Sequence, residues 1–162
     1  MKPFRQLSRR ARLHRFKILA QASLAAFGIS DAQLKFVQYN EIIIYRVDAP
    51  GPGVSTDHRF IPNRYALRIH AIDDDVAVVS ELAWLDALSH EAGLPVPTPV
   101  FTASCEMLAS IITPGFPNGR LVSMLRWLDG QKLERRPLPV PRRLKWKALK
   151  KPNNCLLYAR HL

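Results

Sequence analysis

A basic residue in a β-rich run, followed by a glutamate in a helical pattern, restricts the fold of this 162-residue chain more than any other feature. Residues 65–70 alternate between two faces, with Leu67 and Ile69 on one side and Arg68 on the other. Glu81 follows 13 positions later, in a segment whose apolar residues recur at helical spacing. The pattern predicts an α+β domain in which a helix packs on a sheet and places an acid near a strand cation.

The charge of the chain is concentrated at its two ends. The formal net charge is +11, but residues 18–133 contain eight basic and twelve acidic residues, a net of −4. Residues 1–17 hold seven basic side chains and no acid, and residues 134–162 hold nine basic side chains and one acid. Terminal charge runs are typical of solvated tails. We therefore expect a basic tail at 1–11, a domain at 12–133 and an irregular, proline-containing tail at 134–162.

The cysteine content and the hydropathy indicate the cellular compartment in which the protein is expected. Cys105 and Cys155 are far apart and have no partner spacing, so they predict neither a disulfide framework nor a zinc site. No apolar run reaches the ~18 residues that cross a bilayer. The basic start followed by apolar residues has the outline of an export signal, but Gln21 and Ser23 interrupt it. These features predict a cytoplasmic protein without a membrane partner.

Apolar spacing predicts two helices and a sheet of about five antiparallel strands. The first helix covers 12–27 and ends at Gly28, which suits a C-terminal cap. The second opens at the acidic triplet 73–75 and ends at Gly93. The triplet could bind a cation, but helix capping explains it more simply. The predicted strands are residues 34–38, 42–47, 65–70, 100–102, 107–112 and 121–127, with a loop at 48–63.

Arg68 and Glu81 form the candidate site. A phosphate-binding cation on a strand is flexible unless a neighbouring group fixes it, and a helix carboxylate can do so through a charge-assisted hydrogen bond. The same pattern also arises in α+β domains as a salt bridge at the rim, worth ~0–1 kcal/mol and without a functional role. The spacing alone leaves both interpretations open.

Six short motifs follow one another across residues 20–133 in a fixed order. They are LAAFGI at 24–29, YRVD at 45–48, YALRIH at 65–70, SELAWLDAL at 80–88, GLPVPTPV at 93–100 and LRWLDG at 125–130. Together they resemble the N-terminal lobe of the aminoglycoside phosphotransferase and homoserine kinase-like family, whose members have a protein-kinase-like fold. The resemblance implies an ATP-side lobe with one long helix packed on the sheet and an additional N-terminal helix.

The resemblance also implies residues for nucleotide binding. Arg68 would contact the phosphates, Glu81 would be its helix partner, and residues 124–127 would form the hinge beside the adenine. Trp127 could equally be a core or edge aromatic. The residues that the resemblance assigns to the nucleotide are Arg68, Glu81, Asn40, Met124, Arg126 and Trp127.

The chain departs from the family pattern in two places. The turn near Asn40 has Ile42 and Ile43 where relatives often have a small polar residue, and it has no glycine-rich loop, so we expect weak ATP binding. Phosphoryl transfer also needs an acid for the acceptor and carboxylates for Mg²⁺. The family supplies these from a His-Gly-Asp loop in its large lobe, but Glu134 is the one acid after Asp129. We therefore expect a truncated member that is inactive alone and does not bind Mg²⁺ without the large lobe.

Two further hypotheses concern partners. A small basic protein could bind nucleic acid or another partner through its tails, because the segment 142–147 interleaves Trp146 with cations. A small lobe also normally covers apolar surface with a larger one, so self-association or a complementary large-lobe chain is the second hypothesis. The five histidines have no ligand spacing, and we expect no metal site.

Overall fold

The computed structural model describes residues 4–52, 57–70 and 74–130. The elements in chain order are a 3-10 turn at Phe4–Gln6, α1 at Arg9–Ser23, a 3-10 turn at Leu24–Phe27, β1 at Gln33–Tyr39, β2 at Ile42–Asp48, β3 at Phe60–His70, α2 at Asp75–His90, β4 at Leu108–Thr113 and β5 at Phe116–Leu128. The strands form one antiparallel sheet in the order β1-β2-β3-β5-β4. This architecture confirms the predicted α+β class.

Helix α1 and one face of the sheet enclose the main core. Leu19 of the helix and Leu67 and Ile69 of the central strand β3 are fully buried there. The rings of Phe16 and Phe116 stack in the same core, with their centroids 5.0 Å apart. Burying such side chains contributes roughly 1.5–3 kcal/mol each, so this face supplies most of the apolar stabilisation of the domain.

Helix α2 packs on the opposite face of the sheet through a smaller cluster. Its Val78 and Leu82 are buried against Leu125 of β5. Asp74 precedes the helix as its N-cap: its side chain accepts a hydrogen bond from the Ala77 N–H at 3.0 Å and so satisfies one of the N–H groups of the first turn. Neither of the two helices has the length and apolar character needed to cross a membrane, in the part of the chain that is described.

Several element boundaries differ from the prediction. Strand β3 begins at Phe60 rather than at Tyr65, inside the predicted loop, because the Phe60 ring is buried and Phe60 pairs with Leu128. Helix α1 begins at Arg9, within the segment predicted as a tail, because the Ser8 side chain caps it.

The predicted strand at 100–102 is wrong. Pro99 forms an isolated β-bridge with Leu125 instead. The Val100 N–H still donates to the Met124 carbonyl of β5, at 2.8 Å. The Thr102 N–H donates instead to the Glu106 carbonyl, so the chain leaves β5 after Val100 and no strand forms.

Part of the sequence analysis falls on residues that are not described. The tail predicted for 134–162, with its proposed nucleic-acid contacts at 142–147, lies outside the described residues, as do Asp73 and Cys155. Cys105 is described and carries an exposed free thiol.

Gly28 ends the helical N-terminal region in a left-handed conformation with φ of 66°, as the sequence predicts. Replacing Gly28 with alanine should lower the free energy of unfolding by about 1 kcal/mol, because a side chain strains this backbone conformation. An added Cβ would meet no atom within 4 Å, so conformational strain is the cause that the substitution isolates. Chemical unfolding measures the change.

Gly130→Ala is the matched control, because an added Cβ is also free of contacts there and the backbone is not left-handed. It should leave the stability nearly unchanged. Equal losses in the two variants would contradict the assignment of strain to Gly28.

Candidate functional site

Strand β3 and helix α2 bring the two predicted site residues into contact. The Arg68 Nη2 atom donates a hydrogen bond to Glu81 Oε2 at 2.9 Å, which also makes an ion pair. The Arg68 side chain is 9% exposed and the Glu81 side chain is 47% exposed. The contact that the sequence predicts is therefore present, and it joins a buried cation to an acid that reaches solvent.

The burial of Arg68 limits what this residue can do. A guanidinium taken out of water carries a desolvation cost of several kcal/mol, which a single partly exposed acid offsets incompletely. The guanidinium has five N–H donors, and the contact with Glu81 uses one of them. The arrangement therefore suits a positioned donor for an anionic oxygen better than it suits a stabilising surface salt bridge.

Strand register shows which residues share the face of Arg68. Arg68 lies opposite Ile44 on β2 and Ser123 on β5. Ala66 is on the same face because it precedes Arg68 by two residues, and it packs against the α2 cluster. Ile44 and Ala66 therefore give this face an apolar surface beside the cation. Alternation along β3 points to Ala66 from the sequence, whereas Ile44 requires the register between strands.

His70 is a residue of this face that the sequence analysis did not select. It is 4% exposed, and its Nε2 atom lies 2.9 Å from Ser123 Oγ. Burial lowers the pKa of His70 from 6.5 to about 4; Arg68 acts in the same direction, and Glu81 acts in the opposite one. His70 is therefore neutral at pH 7. No spacing rule indicates it, because its partner is 53 residues away.

A pocket of about 190 Å³ adjoins the ion pair. It lies between the β1–β2 turn, the end of β3 and the first turns of α2. Its lining residues are Glu41, Ile42, His70, Asp74, Ala77, Val78 and Glu81. Asn40, predicted to cover phosphates, is exposed in the same turn, where its N–H donates to the Ile42 carbonyl at 3.4 Å. The turn of Asn40 therefore lies beside the pocket that Glu81 of α2 also lines.

The predicted hinge residues do not all lie near Arg68. Met124 is fully buried in the α1 core, on the opposite face of the sheet. Arg126 is two residues further along β5 on that same opposite face, with its guanidinium carbon 4.2 Å from the centroid of the Phe60 ring. Trp127 is partly buried and lies on the face of Arg68 by alternation.

The backbone of the predicted hinge contacts the proline-rich segment. The Met124 carbonyl accepts a hydrogen bond from the Val100 N–H, and the Arg126 N–H donates to the Thr98 carbonyl, both at 2.8 Å. These two bonds fix the end of β5 against the chain that follows α2. They also occupy one acceptor and one donor that a bound base could otherwise use.

Charged groups at the other end of this face form a second ion-pair cluster. Asp48 forms ion pairs with two arginines, one on each carboxylate oxygen. Arg46 Nη2 lies 2.7 Å from Oδ2, and Arg64 Nε lies 2.6 Å from Oδ1. Burial alone would raise the pKa of Asp48, but the hydrogen bonds from Arg64 and Arg46 outweigh it and lower this pKa. Across the described residues, His, Cys, Asp and Glu side chains form no group of three or more that could hold a metal ion.

The chain was compared with known proteins. No protein-family model matches it, and no curated protein sequence matches it. The structure of a microcompartment-associated aminopropanol kinase is similar to it, with a TM-score of 0.56 and 24% sequence identity. The match covers 72% of this chain and 33% of that kinase chain, so the present chain spans about one third of its length. At this identity the likeness shows the fold, which is that of a kinase-like N-terminal lobe.

The buried His70 should make the stability of the domain depend on pH. Above pH 6.5 this imidazole is neutral whether the chain is folded or unfolded, and it contributes no pH dependence. As the pH falls from 6.5 towards 4, the unfolded chain takes up a proton that the folded chain does not. The free energy of unfolding should therefore fall by up to about 3 kcal/mol across this window. Urea unfolding at several pH values measures it.

His70→Gln should remove most of this acid-dependent loss, because the glutamine side chain is neutral at every pH and can still hydrogen-bond. His14→Gln, on the exposed side of α1, is the matched control and should keep the loss of the unchanged chain. The same pH profile in His70→Gln as in the control would overturn the assignment.

Proposed function

We propose that the described domain is the nucleotide-side lobe of an ATP-dependent small-molecule phosphotransferase, related to the aminoglycoside phosphotransferase and homoserine kinase-like family. The observation that carries the proposal is the buried Arg68, joined to Glu81 within a fold like that of a kinase N-terminal lobe. A buried cation is costly to the fold, so a ligand that uses the donors Glu81 does not engage gives the simplest reason for its presence.

In this proposal Arg68 donates charge-assisted hydrogen bonds to phosphate oxygens of ATP. Glu81 holds the guanidinium in place by its one contact and leaves the remaining donors for the ligand. Ile44 and Ala66 offer an apolar surface for the base on the same face of the sheet. Trp127 lies further along that face, where an aromatic ring can contact the base.

We propose that phosphoryl transfer requires groups from a second, larger lobe. Transfer needs an acid that orients the acceptor hydroxyl and carboxylates that hold Mg²⁺. The domain supplies a hydrogen-bond donor to the phosphates, Arg68. The 162 residues contain no His-Gly-Asp loop. The aminopropanol kinase of known structure is about three times as long as the part that this chain matches. A second lobe could be joined to this one or could be a separate chain, and it would bring the Mg²⁺ ligands.

Arg68→Ala should weaken ATP binding by roughly 10- to 100-fold, because a hydrogen bond to a charged group contributes about 1.5–3 kcal/mol. Binding is measured by titrating ATP, without Mg²⁺, against the fluorescence of Trp127 in a Trp84→Phe and Trp146→Phe background. Trp127 lies on the face of Arg68 by alternation along β5, so its fluorescence reports the ligand locally.

Arg10→Ala is the control, because Arg10 is an exposed cation on α1 at the other face of the sheet. It should leave the ATP titration unchanged, and Arg68→Lys should retain part of the affinity. Equal ATP affinity in Arg68→Ala and Arg10→Ala, with both variants folded by circular dichroism, would contradict the proposal. Turnover by the isolated chain with Mg²⁺-ATP and an acceptor would contradict the need for a second lobe.

A further inference from the structure

The pocket beside the ion pair shares Glu81 with the proposed nucleotide contact, but its other lining residues have no role in the proposed function. Its volume is about 190 Å³, comparable to an apolar cavity of ~150 Å³ that accepts benzene. Its walls are largely apolar and come from Ile42 of the β1–β2 turn and from Ala77 and Val78 of α2. The pocket therefore has room for a ligand of about six non-hydrogen atoms with an apolar body.

The charged residues that line this pocket, among those that the structure describes, are all acids. Asp74 is committed to capping α2, since its side chain accepts from the Ala77 N–H. Glu81 binds Arg68 through Oε2, which leaves Oε1 for another donor. Glu41 is exposed in the β1–β2 turn at the rim. Glu41, Asp74 and Glu81 give the pocket three negative charges, against the one positive charge of Arg68 that pairs with Glu81. The net charge around the pocket is therefore negative and attracts a cation.

His70 adds a hydrogen-bonding atom inside this pocket. It lines the pocket, and its exposed fraction is 4%. Its Nε2 atom is engaged by Ser123, and within the described residues no group bonds Nδ1. If Nε2 donates to the serine oxygen, then Nδ1 of the neutral ring is an acceptor. An acceptor beside two carboxylates suits a ligand that presents several N–H donors.

The acids of the pocket do not form a site for an inorganic cation. The described residues include no group of three or more His, Cys, Asp and Glu side chains with the geometry to hold a metal ion. The apolar walls also suit a carbon chain and not a hydrated ion. These two observations favour an organic cation.

We propose that this pocket binds a primary alkylammonium ion. The ammonium group donates hydrogen bonds to Glu81 Oε1 and His70 Nδ1, and Glu41 adds attraction at the rim. The alkyl chain contacts Ile42, Ala77 and Val78. The site shares Glu81 with the proposed nucleotide contact, but it does not require that the chain bind ATP.

The test is a titration of the full chain with n-butylammonium at low salt, followed by the amide NMR signals of residues 77 and 78. n-Butanol is the neutral ligand with the same carbon chain, and n-butyrate is its anionic counterpart. Butylammonium should give saturable shifts with an affinity at least about tenfold higher than that of butanol, and butyrate should give none. Added salt should weaken the binding, since the attraction depends on charge.

Ala77→Leu tests the position, because the larger side chain fills the pocket without disfavouring the helix. It should abolish the butylammonium shifts. Ala83→Leu is the matched control on the exposed side of the same helix and should leave them unchanged. Glu41→Gln, in the exposed turn, should weaken binding several-fold.

Three results would overturn the proposal. Equal affinity for butanol and butylammonium would show an apolar cavity without selection for charge. Unchanged binding in Ala77→Leu would place the amine elsewhere, and shifts that do not saturate would show no site. The ATP titration of the Arg68 variants is independent of all three, so the two proposals can fail separately.

Discussion

The burial of the Arg68 guanidinium is the constraint on which the functional half of this domain depends. A cation removed from water must meet an acid, and the acid comes from Glu81 on α2. Helix α2 must therefore pack where its carboxylate reaches β3, and Val78 and Leu82 fix it there against Leu125. The half-exposed position of Glu81 leaves one side of the pair open to solvent, where a ligand can approach.

The alternation of side chains along β3 places buried apolar residues on one face of the sheet and the candidate functional residues on the other. Leu67 and Ile69 face α1 and are fully buried, whereas Arg68 and His70 face α2 and carry the polar contacts. The α1 face contains the larger apolar cluster, so it can support polar groups on the other face that would destabilise a domain with a single small core. The two proposed sites, for a nucleotide and for an organic cation, both lie on the α2 face.

Local patterns predicted the elements and the Arg68–Glu81 contact, because alternation and helical spacing fix the face on which a residue lies. They were insufficient where contacts between residues distant in sequence determine the structure. A strand was predicted at 100–102, but the Thr102 N–H bonds the Glu106 carbonyl and not β5. The hinge role of Met124 stays a prediction that only its backbone could fulfil, because the pairing of β5 with β3 turns its side chain into the α1 core. His70 was not selected, because its serine partner is set by the same strand register.

Chemical unfolding of Glu81→Gln and Arg68→Met tests most directly the claim that Glu81 holds a buried cation. The account predicts that Glu81→Gln lowers the free energy of unfolding by about 1–3 kcal/mol, because it leaves the guanidinium buried without its counter-charge. Arg68→Met should cost less or should stabilise the fold, because it removes the cation and leaves Glu81 in contact with water. The opposite order, with Arg68→Met strongly destabilising and Glu81→Gln neutral, would contradict the account.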